Sequence, residues 1–264
     1  MEFDFLKYRV FGEGHPVLFL HGFLESKSMW LNLDLEAFNF KSIIIDLPGH
    51  GESEINHNGE PSIRYMASKV LEIIHELKIH EFSIVGHSMG GYVALEIKKL
   101  FSDNCFDKET KCCKIVLLNS NFWEDSESKK KDRLRVVEIV LKNKGLFIRE
   151  AIPSLFCDKI ASKNEIEELI QSSLNMDKYA ISYASLAMRN RMNQNELLIN
   201  YSSDFLIIQG ELDVVIPLEL MKESLKNIDV KLKTISNVGH MAHIESTKEV
   251  ECIISDFLID FQKE

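Results

Sequence analysis

The sequence predicts an α/β fold in which a mostly parallel central sheet is flanked by helices and carries a helical insertion. Three observations lead there: continuous apolar runs of strand length, helical stripes between them, and one long stretch, 121–199, without a strand pattern. The expected strands are PVLFL (16–20), SIIID (42–46), FSIVG (82–86), KIVLLN (114–119), DFLIIQG (204–210) and VKLKTIS (230–236). Most are unbroken Ile, Val, Leu and Phe runs rather than alternating ones, as in strands covered on both faces. Helical patterns lie between them at roughly 61–78, 89–101, 217–227 and 246–262. In the first, Ile63, Ala67, Val70, Leu71, Ile74 and Leu77 share one stripe, and in the last Val250, Ile253, Ile254, Phe257 and Leu258 repeat the device. Strands alternating with helices imply parallel pairing with right-handed crossovers.

Stretch 121–199 breaks that alternation. Its first helix, 124–143, opens on acidic residues, which favour a helix N-terminus, and sets Leu134, Val137 and Leu141 on one face. Further helices are expected near 145–152, 163–174 and 177–190. The division that follows is a core of 1–120 and 200–264 with a helical lid at 121–199, against the alternative of a second helical layer that only packs. Phe122, Trp123, Phe147, Phe156, Tyr179, Tyr183, Met188 and Met192 are the candidates to line an apolar pocket there, although helix packing explains any single one as well. The basic run at 129–131, with Arg133 and Arg135, fits a solvated helix face, and docking of an acidic acyl carrier is the lesser alternative.

With 264 residues, 45% of them apolar and 27% charged, the chain can bury a substantial core as one large domain or two small ones. A net charge of −10 argues against a nucleic-acid partner, which needs a basic footprint. The N-terminal residues lack the basic start and apolar run of a signal peptide, and no segment is long and apolar enough to span a membrane. Five cysteines without C-x-x-C spacing read as reduced thiols, so a cytoplasmic location is expected. No H-E-x-x-H occurs and no G-x-G-x-x-G follows a strand, so neither a metal nor a cofactor is expected.

The chemistry is concentrated at strand ends. In IVGHSMGGYVALE (84–96) an apolar strand stops at Ser88, between Gly86 and Gly90, and a helix begins. A serine hydroxyl is a weak nucleophile until a base takes its proton, and histidine suits that task because it titrates near neutrality. A buried carboxylate must then hold the ring in the right tautomer. Asp213 follows the 204–210 strand and His240 follows the 230–236 strand, giving the chain order Ser, Asp, His. Two backbone N–H groups are also needed for the oxyanion of a tetrahedral intermediate. Met89, directly after Ser88, and Phe23, after the strand end at His21 and Gly22, can supply them. Among the rivals, Asp204 precedes its strand and falls at the wrong end of the sheet. His243 competes with His240 for the base and is assigned to packing; His87, inside the corner, is read as structural. His50 belongs to the loop after Asp46, and His15, His57, His75 and His80 stand as surface or helix residues without a partner.

HGF (21–23), DLPGHGES (46–53), GHSMGG (86–91), GELD (210–213) and GHMAHIE (239–245) together resemble the α/β-hydrolase superfamily, in particular its small cap-bearing carboxylesterases of the pimeloyl-carrier methyl ester type. The resemblance implies Ser88 as nucleophile, His240 as base, Asp213 as its acid, and Phe23 and Met89 as oxyanion donors. It further implies a small-molecule ester as substrate, with thioester cleavage, carbon–carbon bond hydrolysis and menaquinone-pathway lyase chemistry as alternatives on the same machinery. Serine at position 88 sets the chain apart from the dehalogenases and epoxide hydrolases of this fold, which use aspartate there. Members of the superfamily that keep the triad as small-ligand receptors supply an alternative of another class, separable by turnover.

Overall fold

The computed structural model describes residues 6–55, 59–106 and 109–261. The first five residues of the N-terminal segment, His57 and the end of the 246–262 pattern fall outside that set. The described residues form one seven-stranded sheet: β1 (Tyr8–Phe11), β2 (Pro16–Leu20), β3 (Lys41–Ile45), β4 (Glu81–His87), β5 (Lys111–Leu118), β6 (Phe205–Gly210) and β7 (Lys231–Ile235), in the order β1-β3-β2-β4-β5-β6-β7. All pairings from β2 onward are parallel. The six expected strands are present. β1 was not expected: it is four residues long, half exposed, and antiparallel to β3, with Tyr8 opposite Ile45 and Phe11 opposite Ser42. A short edge strand covered on one face carries too few apolar residues to show a pattern.

The two sheet faces divide the apolar residues by alternation. Leu18, Leu20, Ile43, Ile45, Ile84, Ile115, Leu117 and Ile207 face α1 (Ile63–Glu76) and α2 (Met89–Ser102). Val17, Phe19, Ile44, Val85, Val116, Leu118 and Ile208 face the opposite way, where Val250, Ile254 and Leu258 of a long C-terminal helix pack. α1 begins where the Ser62 side chain accepts a hydrogen bond from the Tyr65 N–H at 3.1 Å.

Between β5 and β6 the structure contains helices and no strand: α3 (Glu127–Ala151), α4 (Lys163–Leu174), α5 (Lys178–Arg189) and α6 (Asn195–Asn200). The helices expected at 124–143 and 145–152 are the two halves of α3, broken at Asn143 (φ −153°, ψ 78°), whose Oδ1 accepts from the Leu146 N–H at 3.0 Å and caps the second half. Lys130 pairs with Glu124 and Glu127, Arg133 with Asp125, and Arg135 with Asp132, so local acids neutralise the basic run. Val140, Ile148 and Ile152 join Ile166 and Ile170 of α4 in a third apolar cluster that takes in Leu24, after β2, and Met241, after β7. That cluster seats α3 and α4 over the carboxyl ends of the parallel strands. The chain then continues through α7 (Leu218–Ser224), α8 (Ala242–Glu245) and α9 (Thr247–Phe261).

Candidate active site

Ser88 lies between β4 and α2 with φ 47° and ψ −112°, a left-handed conformation for a residue with a side chain. Such a conformation costs about 1–3 kcal/mol and persists only where the surroundings over-determine it. Here they do. The Ser88 N–H donates to Leu118 O at 3.0 Å, while Ser88 O accepts from the Gly91 N–H at 3.0 Å and from Ser120 Oγ at 2.7 Å. The flanking glycines answer to close packing: a Cβ at Gly90 would lie 2.1 Å from Leu20 O, and one at Gly86 2.6 Å from the Gly90 carbonyl. With the backbone pinned this way, the half-buried Ser88 side chain stands at the carboxyl edge of the sheet.

His240 Nε2 is 2.9 Å from Ser88 Oγ, and His240 Nδ1 is 2.8 Å from Asp213 Oδ2. An ionised carboxylate can only accept, so Nδ1 carries the hydrogen and Nε2 is left to receive the serine proton. Asp213 collects four further donors. Its Oδ2 accepts from Asn119 Nδ2 and Gln209 Nε2, each at 2.9 Å, and its Oδ1 from the N–H groups of Val215 and Ile216 at 2.8 and 3.0 Å. Burial alone would raise its pKa, but His240 and these donors outweigh it and hold the carboxyl at about 2. His240 is fixed through its own backbone too, since its N–H donates to Leu155 O at 2.8 Å. The next loop residue back, Gly239, donates to Glu245 Oε2 at 2.8 Å.

The two candidate oxyanion donors flank this chain of hydrogen bonds. Met89 is the first residue of α2, where helix geometry leaves the backbone N–H without an intrahelical acceptor. The Phe23 N–H has no hydrogen-bond partner among the described residues. His21 shapes the loop that presents it: its Nδ1–H donates to Gly22 O at 2.8 Å and its Nε2 accepts from the Leu47 N–H at 2.9 Å. Burial, reinforced by neighbouring His50, pushes the His21 pKa down to about 3, which keeps the ring neutral for both bonds.

The rival residues lie elsewhere. Asp204 pairs with Lys98 at 2.8 Å at the amino end of β6. His243 is fully buried, 5.8 Å from the Trp30 ring and 4.7 Å from the His87 ring, with neither ring nitrogen hydrogen-bonded. His50 is buried with Nδ1 3.0 Å from Pro48 O. His75 and His80 are exposed, whereas His15 does have a partner, Ser83 Oγ at 2.9 Å. Asn119, Gln209 and Ser120 did not emerge from the sequence. The signal they carry is faint: polar residues that end or directly follow apolar strands.

The expected pocket lining needs correction. Phe122 and Met188 are buried in the main core, whereas Tyr183, also largely buried, lines a cavity of about 730 Å³ together with Tyr179. Phe156 belongs to the cluster of α3 and α4, while Tyr179 and Met192 are 59% and 73% exposed. Phe147 approaches the site most directly, with its ring 6.4 Å from that of Phe23. Trp123 lines a cavity of about 540 Å³ with Tyr92, Asn121, Arg133 and Ile216. Tyr92 lies one helical turn beyond Ser88, and the Ile216 N–H is one of the donors to Asp213. Among the described residues, no three His, Cys, Asp or Glu side chains converge as metal ligands, and no helix is long and apolar enough to cross a membrane. All five cysteines are free.

A family model described as the alpha/beta hydrolase fold matches residues 15–247. The chain is 26% identical over 274 residues to a putative 2-succinyl-6-hydroxy-2,4-cyclohexadiene-1-carboxylate synthase of Bacillus subtilis, covering 97% of this chain and 96% of that protein. It is 25% identical over 259 residues to the dihydrolipoyllysine-residue acetyltransferase component of the acetoin cleaving system of Cupriavidus necator; that match takes in 94% of the chain and 64% of the relative's length. A thermophilic esterase from Thermogutta terrifontis superposes with a TM-score of 0.85 at 27% identity, over 97% of this chain and 93% of that one.

Proposed function

The chain belongs to the α/β-hydrolase fold family, and from that premise we propose that it is a serine hydrolase cleaving a carboxylic ester of a small or medium acyl substrate through an acyl-enzyme. One observation carries the proposal: the hydrogen-bonded chain Ser88 Oγ, His240 Nε2, His240 Nδ1, Asp213 Oδ2, built on a strained serine. Ser88 Oγ attacks the ester carbonyl as its proton passes to His240 Nε2. The tetrahedral oxyanion receives the N–H groups of Phe23 and Met89, and Asp213 stabilises the imidazolium without itself taking a proton. His240 then returns the proton to the departing alcohol. In the second half a water molecule loses its proton to His240 and attacks the acyl-Ser88 carbonyl, and the acid leaves as Ser88 recovers its proton.

The segment 121–199 is the lid of this enzyme, with 1–120 and 200–264 as core. Its packing supports that role: the α3 and α4 cluster rests on Leu24 and Met241, neighbours of Phe23 and His240. Ser173 Oγ of α4 also donates to Leu24 O at 2.7 Å.

A fluorophosphonate probe should label Ser88 covalently, and Ser88→Ala should abolish both labelling and ester hydrolysis, with kcat falling on the order of 10⁶. Labelling elsewhere, or full activity in the variant, would overturn the proposal. The likeness to the B. subtilis synthase over nearly the whole chain favours a second reading, in which the same proton-transfer groups act on a carbon–carbon or carbon–oxygen bond without an acyl-enzyme. Probe labelling of Ser88 with no turnover of any simple ester would turn the reading to this one, to thioesters or carbon–carbon substrates, or to a receptor role.

A further inference from the structure

Beneath the Ser88–His240–Asp213 chain the molecule buries another pair of titratable side chains. His87 Nδ1 is 3.0 Å from Glu25 Oε2, and His87 Nε2 is 2.9 Å from the backbone oxygen of His240; both side chains are about 1% exposed. Glu25 Oε2 also accepts from the Gly22 N–H at 2.5 Å. The oxyanion loop, Glu25, His87 and the backbone of His240 thus form one continuous hydrogen-bonded line.

The chemistry of the ends sets the direction of that line. The His240 carbonyl can only accept, so His87 Nε2 must carry a hydrogen; the Gly22 N–H can only donate, so Glu25 Oε2 must accept. One further proton is shared between Glu25 and His87 Nδ1, and the pair is neutral as a whole. Burial resists charge on both groups, yet each partner's charge and hydrogen bond outweigh it. Glu25 is held below its ordinary value and His87 above, each of which favours the charged form. The groups that face it are His21 and His50 beside Glu25, and Asp213, His240 and His243 beside His87. Burial pushes His21, His50 and His243 down, which keeps them neutral and leaves the anionic Asp213 as the other fixed charge of the cluster.

Two groups that must act on one transition state come from distant loops: the Phe23 N–H follows β2, and the His240 imidazole follows β7. Building on the serine-hydrolase reading, we infer that Glu25 and His87 are positioning residues for the reaction, a buried strut that sets the oxyanion loop at a fixed distance from the base. The strut also accounts for Gly22, because a Cβ there would lie 2.8 Å from both Glu25 Oε2 and His87 Nδ1. Glutamine at position 25 keeps the volume but not the line, because the Gly22 N–H and His87 Nδ1 meet the same oxygen: an amide oxygen there accepts from Gly22 but faces the lone pair of a neutral His87 Nδ1, and an NH₂ there faces the Gly22 N–H. Alanine removes both bonds.

The experiment measures kcat and KM for a p-nitrophenyl ester in Glu25→Ala, His87→Ala and Glu25→Gln, each normalised to the number of Ser88 sites titrated by a fluorophosphonate. Wild type and Ser88→Ala serve as controls. Normalisation removes loss of folded protein, which a merely structural pair would cause. Both alanine variants and Glu25→Gln, which keeps the side-chain volume and breaks the line, should lose about tenfold to hundredfold in kcat per titrated site with KM within about threefold. Turnover per site within about twofold of wild type in the alanine variants or in Glu25→Gln would refute the strut. If neither alanine variant folds, Glu25→Asp decides by the same measurement: a fall of about fivefold or more supports positioning, and a smaller change refutes it. An unlabelled wild type, or an active Ser88→Ala, would instead count against the serine-hydrolase reading itself.

Discussion

Replacing Asp213 by Asn exchanges one carboxylate oxygen for an NH₂ and tests the central hydrogen-bond chain. All five partners of the Asp213 carboxylate are donors: His240 Nδ1, Asn119 Nδ2 and Gln209 Nε2 on Oδ2, and the Val215 and Ile216 N–H groups on Oδ1. An amide must therefore turn its NH₂ toward one set. The two backbone N–H groups cannot turn away, so the NH₂ takes the Oδ2 place and faces His240. The imidazole then becomes an acceptor at Nδ1, its hydrogen moves to Nε2, and Nε2 can no longer take the Ser88 proton. Such a tautomer switch lowers kcat by about 10⁴. The fold should tolerate it. One NH₂ hydrogen goes to His240 Nδ1, and the other can go to Asn119 or Gln209, whose amide oxygens are buried without partners, so one of these amides can flip to accept at the loss of its bond to Gly239 O or Ile216 O. Losing a carboxyl held at about 2 removes roughly 2 kcal/mol of stability at neutral pH, or about 5 °C in melting temperature. The assay is p-nitrophenyl ester hydrolysis beside a thermal melt. A folded Asp213→Asn enzyme with kcat within about tenfold of wild type would show that something other than Asp213 sets the His240 tautomer.

Acid titration of stability should reveal the same carboxylate. Its folded pKa of about 2 lies below the ordinary 3.8, so its contribution is complete above about pH 4 and disappears as the pH falls through 2. Wild type should lose its advantage over Asp213→Asn across that window in urea melts, and a constant gap would refute the assignment. His240→Ala should lose nearly all activity, whereas His243→Ala should keep kcat within about tenfold and lose about 2 kcal/mol of stability, since His243 fills buried space against Trp30 without a hydrogen bond; reversed outcomes in kinetics and melts would make His243 the base. Phe147→Ala should shift the preferred acyl length in a panel of p-nitrophenyl esters from acetate to decanoate, at about 1–3 kcal/mol per methylene. Met192→Ala, at a residue 73% exposed, should not. An unchanged optimum in Phe147→Ala and Trp123→Ala would reduce the lid to a packing layer.

Features of the molecule that write a local pattern could be read from the sequence. Buried parallel strands show as apolar runs, and the corner at Ser88 shows as glycines that the crossing of helix and strand demands. Even the break in α3 was legible, because Asn143 separates two helical stripes and then caps the second. β1 was not, since an edge strand of four residues needs no apolar face. The pocket candidates were legible only in part, for a different reason. Aromatic residues in a helical insertion look alike whether they face a cavity or a core: Phe122 and Met188 are buried in the main core, while Trp123, Tyr179 and Tyr183 line cavities. Asn119, Gln209, Glu25 and Glu245 escaped because their partners lie in distant segments, and several of those partners are backbone groups, which have no sequence signature.

Those backbone partners bear on how lid and chemistry are related. Glu245 receives the Gly239 N–H on Oε2 and the N–H groups of Cys157 and Asp158 on Oε1, at 2.7 and 3.2 Å for the last two. Leu155 O, two residues earlier, holds the His240 N–H at 2.8 Å. The segment that follows α3 is therefore bonded directly to the loop that carries the base, and the loop is bonded through His87 and Glu25 to the one that carries Phe23. An insertion that merely covered the site could move without disturbing the imidazole. Here, displacing 155–158 withdraws an acceptor from His240 and two donors from Glu245 in the same motion. Under the proposed function, the insertion and proton transfer at His240 are coupled through these hydrogen bonds, and changes on this side of the insertion should register in kcat as well as in KM.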